Sequence, residues 1–134
     1  MRDNHSILIV DDDADDREIL RDAFMAHNNR PQYVFLEDGE ALLHYLHENE
    51  NALPSLILMD LNMPGMDGRE ALKEIKNNEK LQHIPTVIFT TSSSQRDKQI
   101  TYRLGANCFI TKPDTFNKLM ELASSISMLW LQDK

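Results

Sequence analysis

One cysteine, four glycines, five prolines and one tryptophan are spread over 134 residues, and each scarcity closes a class of answer. The lone Cys108 excludes an internal disulfide and with it the stapled secreted scaffolds. So little glycine and proline excludes collagen-like and low-complexity chains. No apolar run approaches the ~20 residues that a membrane-spanning helix needs, and Met1-Arg2-Asp3-Asn4-His5 carries no signal-peptide pattern. Basic residues are outnumbered 14 to 22, for a formal charge of -8. That balance removes the electrostatic footprint of a nucleic-acid binder, and no basic patch interleaved with aromatics offsets it. The length suits one domain with one core, so a single domain over residues 1–134 with no output domain is expected, in a cytoplasmic setting, binding neither nucleic acid nor membrane.

Short apolar runs alternate with longer segments of helical period. Ile7 to Val10, Leu56 to Met59 and Val87 to Phe89 are continuously apolar, as for central strands covered on both faces. Tyr33 to Leu36 and Cys108 to Ile110 complete a set of five. Helical stripes follow each strand: Ile19, Leu20, Ala23 and Phe24; Leu42, Tyr45 and Leu46; Leu72 and Ile75. Between Gln95 and Leu104 the stripe is thin, and Gly105 reads as a left-handed cap that ends that helix. The pattern predicts an α/β fold, a doubly wound five-stranded parallel sheet with helices on both faces. In the last helix, from about Asp114 to Leu131, the apolar residues cover an arc of roughly 200° at about 100° per residue. Two readings of that excess stand: deeper burial than usual, or a surface for a partner or a homodimer.

The chemistry gathers where strands end. Asp60 closes Leu56-Ile57-Leu58-Met59, and Asp11-Asp12-Asp13 closes Ile7-Leu8-Ile9-Val10. In an open parallel sheet, neighbouring carboxyl ends share one crevice. Carboxylates about 4 Å apart repel by roughly 4 kcal/mol at an effective dielectric near 20, so the cluster calls for a proton or a hard cation, of which Mg²⁺ is the natural guest. Thr90-Thr91-Ser92 and Thr111-Lys112-Pro113 end two further strands. A carboxylate nucleophile, a cation site, a hydroxyl and an ammonium together make a phosphoryl site.

These residues resemble the receiver domains of two-component response regulators over essentially the whole chain. Val10-Asp11-Asp12 is similar to the family's acidic pair. Asp60, within Met59-Asp60-Leu61-Asn62-Met63-Pro64-Gly65-Met66-Asp67-Gly68, is similar to its phosphoacceptor, and Thr90 and Lys112-Pro113 to its switch hydroxyl and lysine. The resemblance implies a flavodoxin-like sheet of strand order 2-1-3-4-5. It also implies Mg²⁺ held by Asp12, Asp60 and the backbone carbonyl of Asn62, with Asp11 acting directly or through water, and a cis Lys112–Pro113 bond. The aromatic switch position three residues before the lysine falls on Phe109, which lacks a tyrosine's hydroxyl and must act by ring burial alone. By the same resemblance the chain is a switch rather than an enzyme. A sensor histidine kinase or phosphotransfer protein would phosphorylate it, and it would signal to a protein target yet to be identified. The ending Met128-Leu129-Trp130-Leu131 and the long connections Asn49 to Pro54 and Asn77 to Ile84 are similar to stand-alone receivers that work with bacterial phytochromes.

Competing readings are weaker. A calcium loop starting at Asp11 would need glycine where Asp16 stands and glutamate where Asp22 stands. An aspartyl-phosphate phosphatase could use Asp11 to Asp13, yet nothing in the chain would cap a substrate. A binding-only pseudo-receiver would lose the acids. Asp13, Asp15 and Asp16 read as solvated first-turn residues, Asp114-Thr115 as a helix N-cap, Arg69 as a surface charge, and His44 and His47 as exposed polar positions.

Overall fold

The computed structural model describes residues 5–28 and 30–131. Elements follow in the order β1 (Ser6–Val10), α1 (Ala14–His27), β2 (Gln32–Leu36), α2 (Gly39–Glu48), β3 (Leu56–Met59), α3 (Gly68–Lys76), β4 (Thr86–Thr90), α4 (Gln95–Leu104), β5 (Cys108–Thr111) and α5 (Phe116–Trp130). All strand pairs are parallel, in the order β2-β1-β3-β4-β5. The expected α/β sheet and its strand order are both present.

The two-residue period of the central strands sorts the core into two layers. Leu8, Val10, Ile57, Met59 and Ile88 face α2 and α3 and pack on Leu42, Leu46, Leu72 and Ile75. Ile7, Ile9, Leu56, Leu58, Val87 and Phe89 face α1 and α5 and pack on Leu20, Phe24, Leu119, Ala123 and Ile126. β1, β3 and β4 are buried on both faces apart from Ser6, which explains their unbroken apolar runs. The stripe of α1 is narrower than its sequence predicts, because Ile19 is 45% exposed while Leu20, Ala23 and Phe24 are buried. The long connection after α3 is anchored by buried Leu81 and Ile84, and by the Lys76 ammonium donating to the carbonyls of Gln82 and Ile84.

α4 buries only Thr101, as its thin stripe predicts, and ends on Gly105 at φ 110°. α5 starts at Phe116 rather than Asp114, with the Thr115 hydroxyl accepting from Lys118 N–H as the N-cap. Part of its broad apolar arc stays in the open: Phe116, Met128 and Leu129 are 44%, 59% and 69% exposed. The Lys112–Pro113 bond is trans, against the expected cis form. An X–Pro bond favours trans by about 0.5–1 kcal/mol; ahead of it, Lys112 N–H donates to the Thr90 carbonyl at 2.7 Å and extends the β4–β5 ladder.

Gly68 opens α3 directly against the end of β3. Its N–H donates to the Leu61 carbonyl at 2.8 Å, and a Cβ there would stand 2.8 Å from Leu61 Cα and closer still to the Asp60 carbonyl. Backbone cannot give way as a flexible side chain would. Gly68→Ala is therefore expected to lower stability by about 1–3 kcal/mol, read as a shift of the urea midpoint; an unchanged midpoint would refute the close packing described.

Candidate functional site

The ladder of β1, β3 and β2 continues one residue past the strands, since Asp60 N–H donates to the Val10 carbonyl and Asp11 N–H to that of Leu36, each at 3.0 Å. Asp11 and Asp60 thus leave neighbouring strands at one level. With Asp12 they form a group in which one carboxylate oxygen from each residue lies within 4.8 Å of the others. Asp11 is buried, Asp60 half-buried and Asp12 exposed, so the group is open to solvent on one side only. Asp60 Oδ1 accepts from Leu61 N–H at 2.8 Å, which orients the carboxylate. Asp11 Oδ1 accepts from Asp13 N–H at 2.9 Å. Burial pushes the Asp11 carboxyl up from its ordinary range, against the hydrogen bonds from Asp13 and Lys112. An all-oxygen, acidic, half-open group fits a hard divalent cation that keeps some of its own waters.

Lys112 enters from the end of β5 and places its ammonium among three carboxylates. Nζ donates to Asp11 Oδ2 and to Asp16 Oδ2, each at 2.9 Å, and stands 3.6 Å from Asp60 Oδ2. Burial alone would lower its pKa, but the hydrogen bonds to Asp16 and Asp11 and the charges of Asp11 and Asp60 raise it, so the side chain is a cation throughout the neutral range. Its nearest partners are Asp11 and Asp16. Asp60 is the most distant of the three.

Comparison with known proteins settles the family. The response regulator receiver domain model matches residues 7–124. The chain belongs to that family. Response regulator Rcp1 of Synechocystis sp. is 37% identical over 130 residues, 94% of this receiver and 88% of Rcp1. The phosphorylated cyanobacterial phytochrome response regulator RcpA superposes with a TM-score of 0.87 at 35% identity, over 96% of this chain and 95% of that one. The Mn²⁺-bound form of Rcp1 does so with a TM-score of 0.84 at 36% identity, over 97% and 96%.

Within the receiver, Thr90 is fully buried at the end of β4, and its Oγ1 accepts from Ser92 N–H at 3.3 Å. Phe109 is half-buried and packs against the layer facing α2 and α3. Its backbone N–H donates to the hydroxyl of Tyr102, which ties β5 to α4. Asn62 is exposed in the β3–α3 loop. Asp13 is the N-cap of α1, accepting from the N–H groups of Asp15 and Asp16, and is not part of the acidic group.

Two features escaped the sequence. Asp16, read there as a solvated first-turn residue, is a partner of Lys112. Arg69, read as a surface charge, spans two helices: it donates to Asp97 at 2.9 Å and reaches Asp67 at 3.4 Å. The other Asp97 oxygen accepts from the Ser92 hydroxyl at 2.8 Å. This strut joins the start of α3, the first turn of α4 and the loop after β4. Hydrogen bonds from Arg69 and Ser92 hold the Asp97 carboxyl below its usual range. No local pattern announces such pairs, because their members lie far apart in the chain.

Lys112→Met removes the ammonium that Asp11, Asp16 and Asp60 share, and without divalent cations it is expected to cost about 2–4 kcal/mol. Because the folded pKa of Lys112 is raised, its contribution is whole below the ordinary 10.5 and is lost as pH rises through the folded value. Urea midpoints below and above pH 10.5, where that loss begins, check this: wild type falls more than Lys112→Met, and parallel curves would refute it. Asp97→Ala is expected to raise amide exchange in α4 while leaving β3 and β4 protected. Unchanged exchange in α4 would show that the strut does not hold that helix.

Proposed function

We propose that this receiver accepts a phosphoryl group on Asp60 from a sensor histidine kinase or phosphotransfer protein and signals by changing its protein contacts. The observation that carries the reading is the placement of Asp60: a carboxylate oriented by Leu61 N–H, grouped with Asp11 and Asp12, and 3.6 Å from the Lys112 ammonium. An Asp60 oxygen attacks phosphorus, the P–O bond forms, the P–N bond of the donor phosphohistidine breaks, and imidazole leaves with its electron pair. Asp11, Asp12, Asp60 and the backbone carbonyl of Asn62 form the proposed ligand set for Mg²⁺. The bound ion supplies the positive charge that neutralises the transferred oxygens. The Thr90 hydroxyl and the Lys112 ammonium hold the remaining ones.

The new group brings about 1.5 to 2 negative charges and three acceptor oxygens. Drawing the Thr90 hydroxyl towards them withdraws the acceptor of Ser92 N–H and clears space for the Phe109 ring. The face that answers is built from α4, β5 and α5, where Tyr102, Phe116, Met128 and Leu129 leave large apolar surface exposed. There the domain meets its downstream protein target, or a second copy of itself through α5. Output by protein contact makes the domain a switch rather than an enzyme acting on metabolites. Phytochrome response regulators among its relatives favour a light-sensing kinase as donor. No helix among the described residues is long and apolar enough to cross a membrane, and a cytoplasmic setting accompanies a kinase-linked role.

Acetyl phosphate with and without Mg²⁺ tests the reading, followed by intact mass and by size-exclusion chromatography. The expected outcome is a Mg²⁺-dependent gain of one phosphoryl group that Asp60→Asn abolishes. Dimer formation on phosphorylation would assign the exposed α5 residues to assembly, and a monomer would assign them to another protein. A stable phosphoryl group on Asp60→Asn would overturn the assignment.

A further inference from the structure

Lys112 has a choice of carboxylates. Three surround its ammonium, yet it bonds the two that are not the proposed phosphoacceptor. Asp11 comes from the same strand-end group as Asp60, whereas Asp16 comes from the first turn of α1, outside that group. Its position on the helix is set by the N-cap: Asp13 Oδ1 accepts from Asp15 N–H at 2.9 Å and from Asp16 N–H at 3.3 Å, which winds the first turn. The Asp16 side chain, 38% exposed, then reaches across to Lys112, whose side chain is only 18% exposed. Asp15, one residue earlier and bearing the same charge, makes no contact with Lys112 among the ion pairs of the described residues.

We propose that Asp16 is a positioning residue, which holds the Lys112 ammonium on the α1 side of the crevice and so keeps the Asp60 carboxylate open to a divalent cation. The proposal rests on the reading above that this group takes Mg²⁺. A cation and an ammonium compete for the same oxygens. Without Asp16, the ammonium has only Asp11 and Asp60 to bond, and it closes on the Asp60 oxygens, the ones that it leaves free while Asp16 holds it. With Asp16 in place, it stays within hydrogen-bond reach of α1 and at 3.6 Å from Asp60. The same tether links α1 to the loop that joins β5 to α5.

Mg²⁺ affinity measured by calorimetry on the unphosphorylated domain tests this apart from any turnover. Asp16→Asn is expected to weaken Mg²⁺ binding about two- to fivefold, a size suited to a partly exposed pair. Asp15→Asn, which removes the same charge without touching Lys112, is expected to change it by much less, and Asp16→Glu to restore most of the loss. In the Lys112→Met background, Asp16→Asn is expected to have no larger effect than Asp15→Asn. Equal losses in Asp16→Asn and Asp15→Asn, or an undiminished Asp16→Asn effect without Lys112, would show a general charge effect and overturn the proposal. A wild type that binds no Mg²⁺ would instead overturn the cation site itself, and the positioning role with it.

Discussion

The ammonium of Lys112 is the counter-charge on which the crevice depends. Asp11, Asp12, Asp16 and Asp60 bring four carboxylates to one end of the sheet, and Lys112 is the cation bonded among them. Like charges about 4 Å apart cost roughly 4 kcal/mol at an effective dielectric near 20, so one ammonium leaves the group short of positive charge. That shortage is functional. A site already neutral would have no use for a divalent cation, and one with no ammonium would set buried Asp11 against its neighbours without relief. The arrangement sits between these limits, stable enough to fold and acidic enough to bind.

Geometry follows from the sheet. Parallel strands in register deliver their carboxyl ends to one level, and hydrogen bonds continuing past β1 and β3 hold Asp11 and Asp60 there. The strands that carry these residues are also the most deeply buried, so Asp11 and Asp60 rest on the stiffest part of the molecule. Helix α4 is the opposite case. It buries only Thr101 and is tied to its surroundings by polar links: the Arg69–Asp97–Ser92 strut and the bond from Phe109 N–H to the Tyr102 hydroxyl. Polar links exchange partners at smaller cost than a packed apolar face separates. A switch built on this fold has its rigid end at Asp60 and its compliant end at α4 and β5.

The sheet was legible from unbroken apolar runs, and the helices from their stripes, because both signals are local and periodic. Gly105 as a left-handed cap and Thr115 as an N-cap were legible for the same reason. The meeting of Asp11, Asp12, Asp60 and Lys112 at strand ends was legible because a parallel sheet admits one crevice. Exposure was not: Ile19 shared the α1 stripe yet faces solvent, and the α5 arc divided into buried Leu119, Ala123 and Ile126 and open Phe116, Met128 and Leu129. The Lys112–Pro113 isomer was also beyond local pattern, since the two forms differ by so little that surrounding contacts decide.

By itself the sequence determined the α/β class, the strand order that family resemblance implies and the residue types at the crevice, because periodicity and short-range chemistry are written along the chain. Only the tertiary structure decided which charges meet. Asp16 with Lys112, and Arg69 with Asp97, are pairings between segments that the fold brings together. Their energy depends on distance and burial, which fall steeply within a few ångströms and leave no trace in spacing along the sequence.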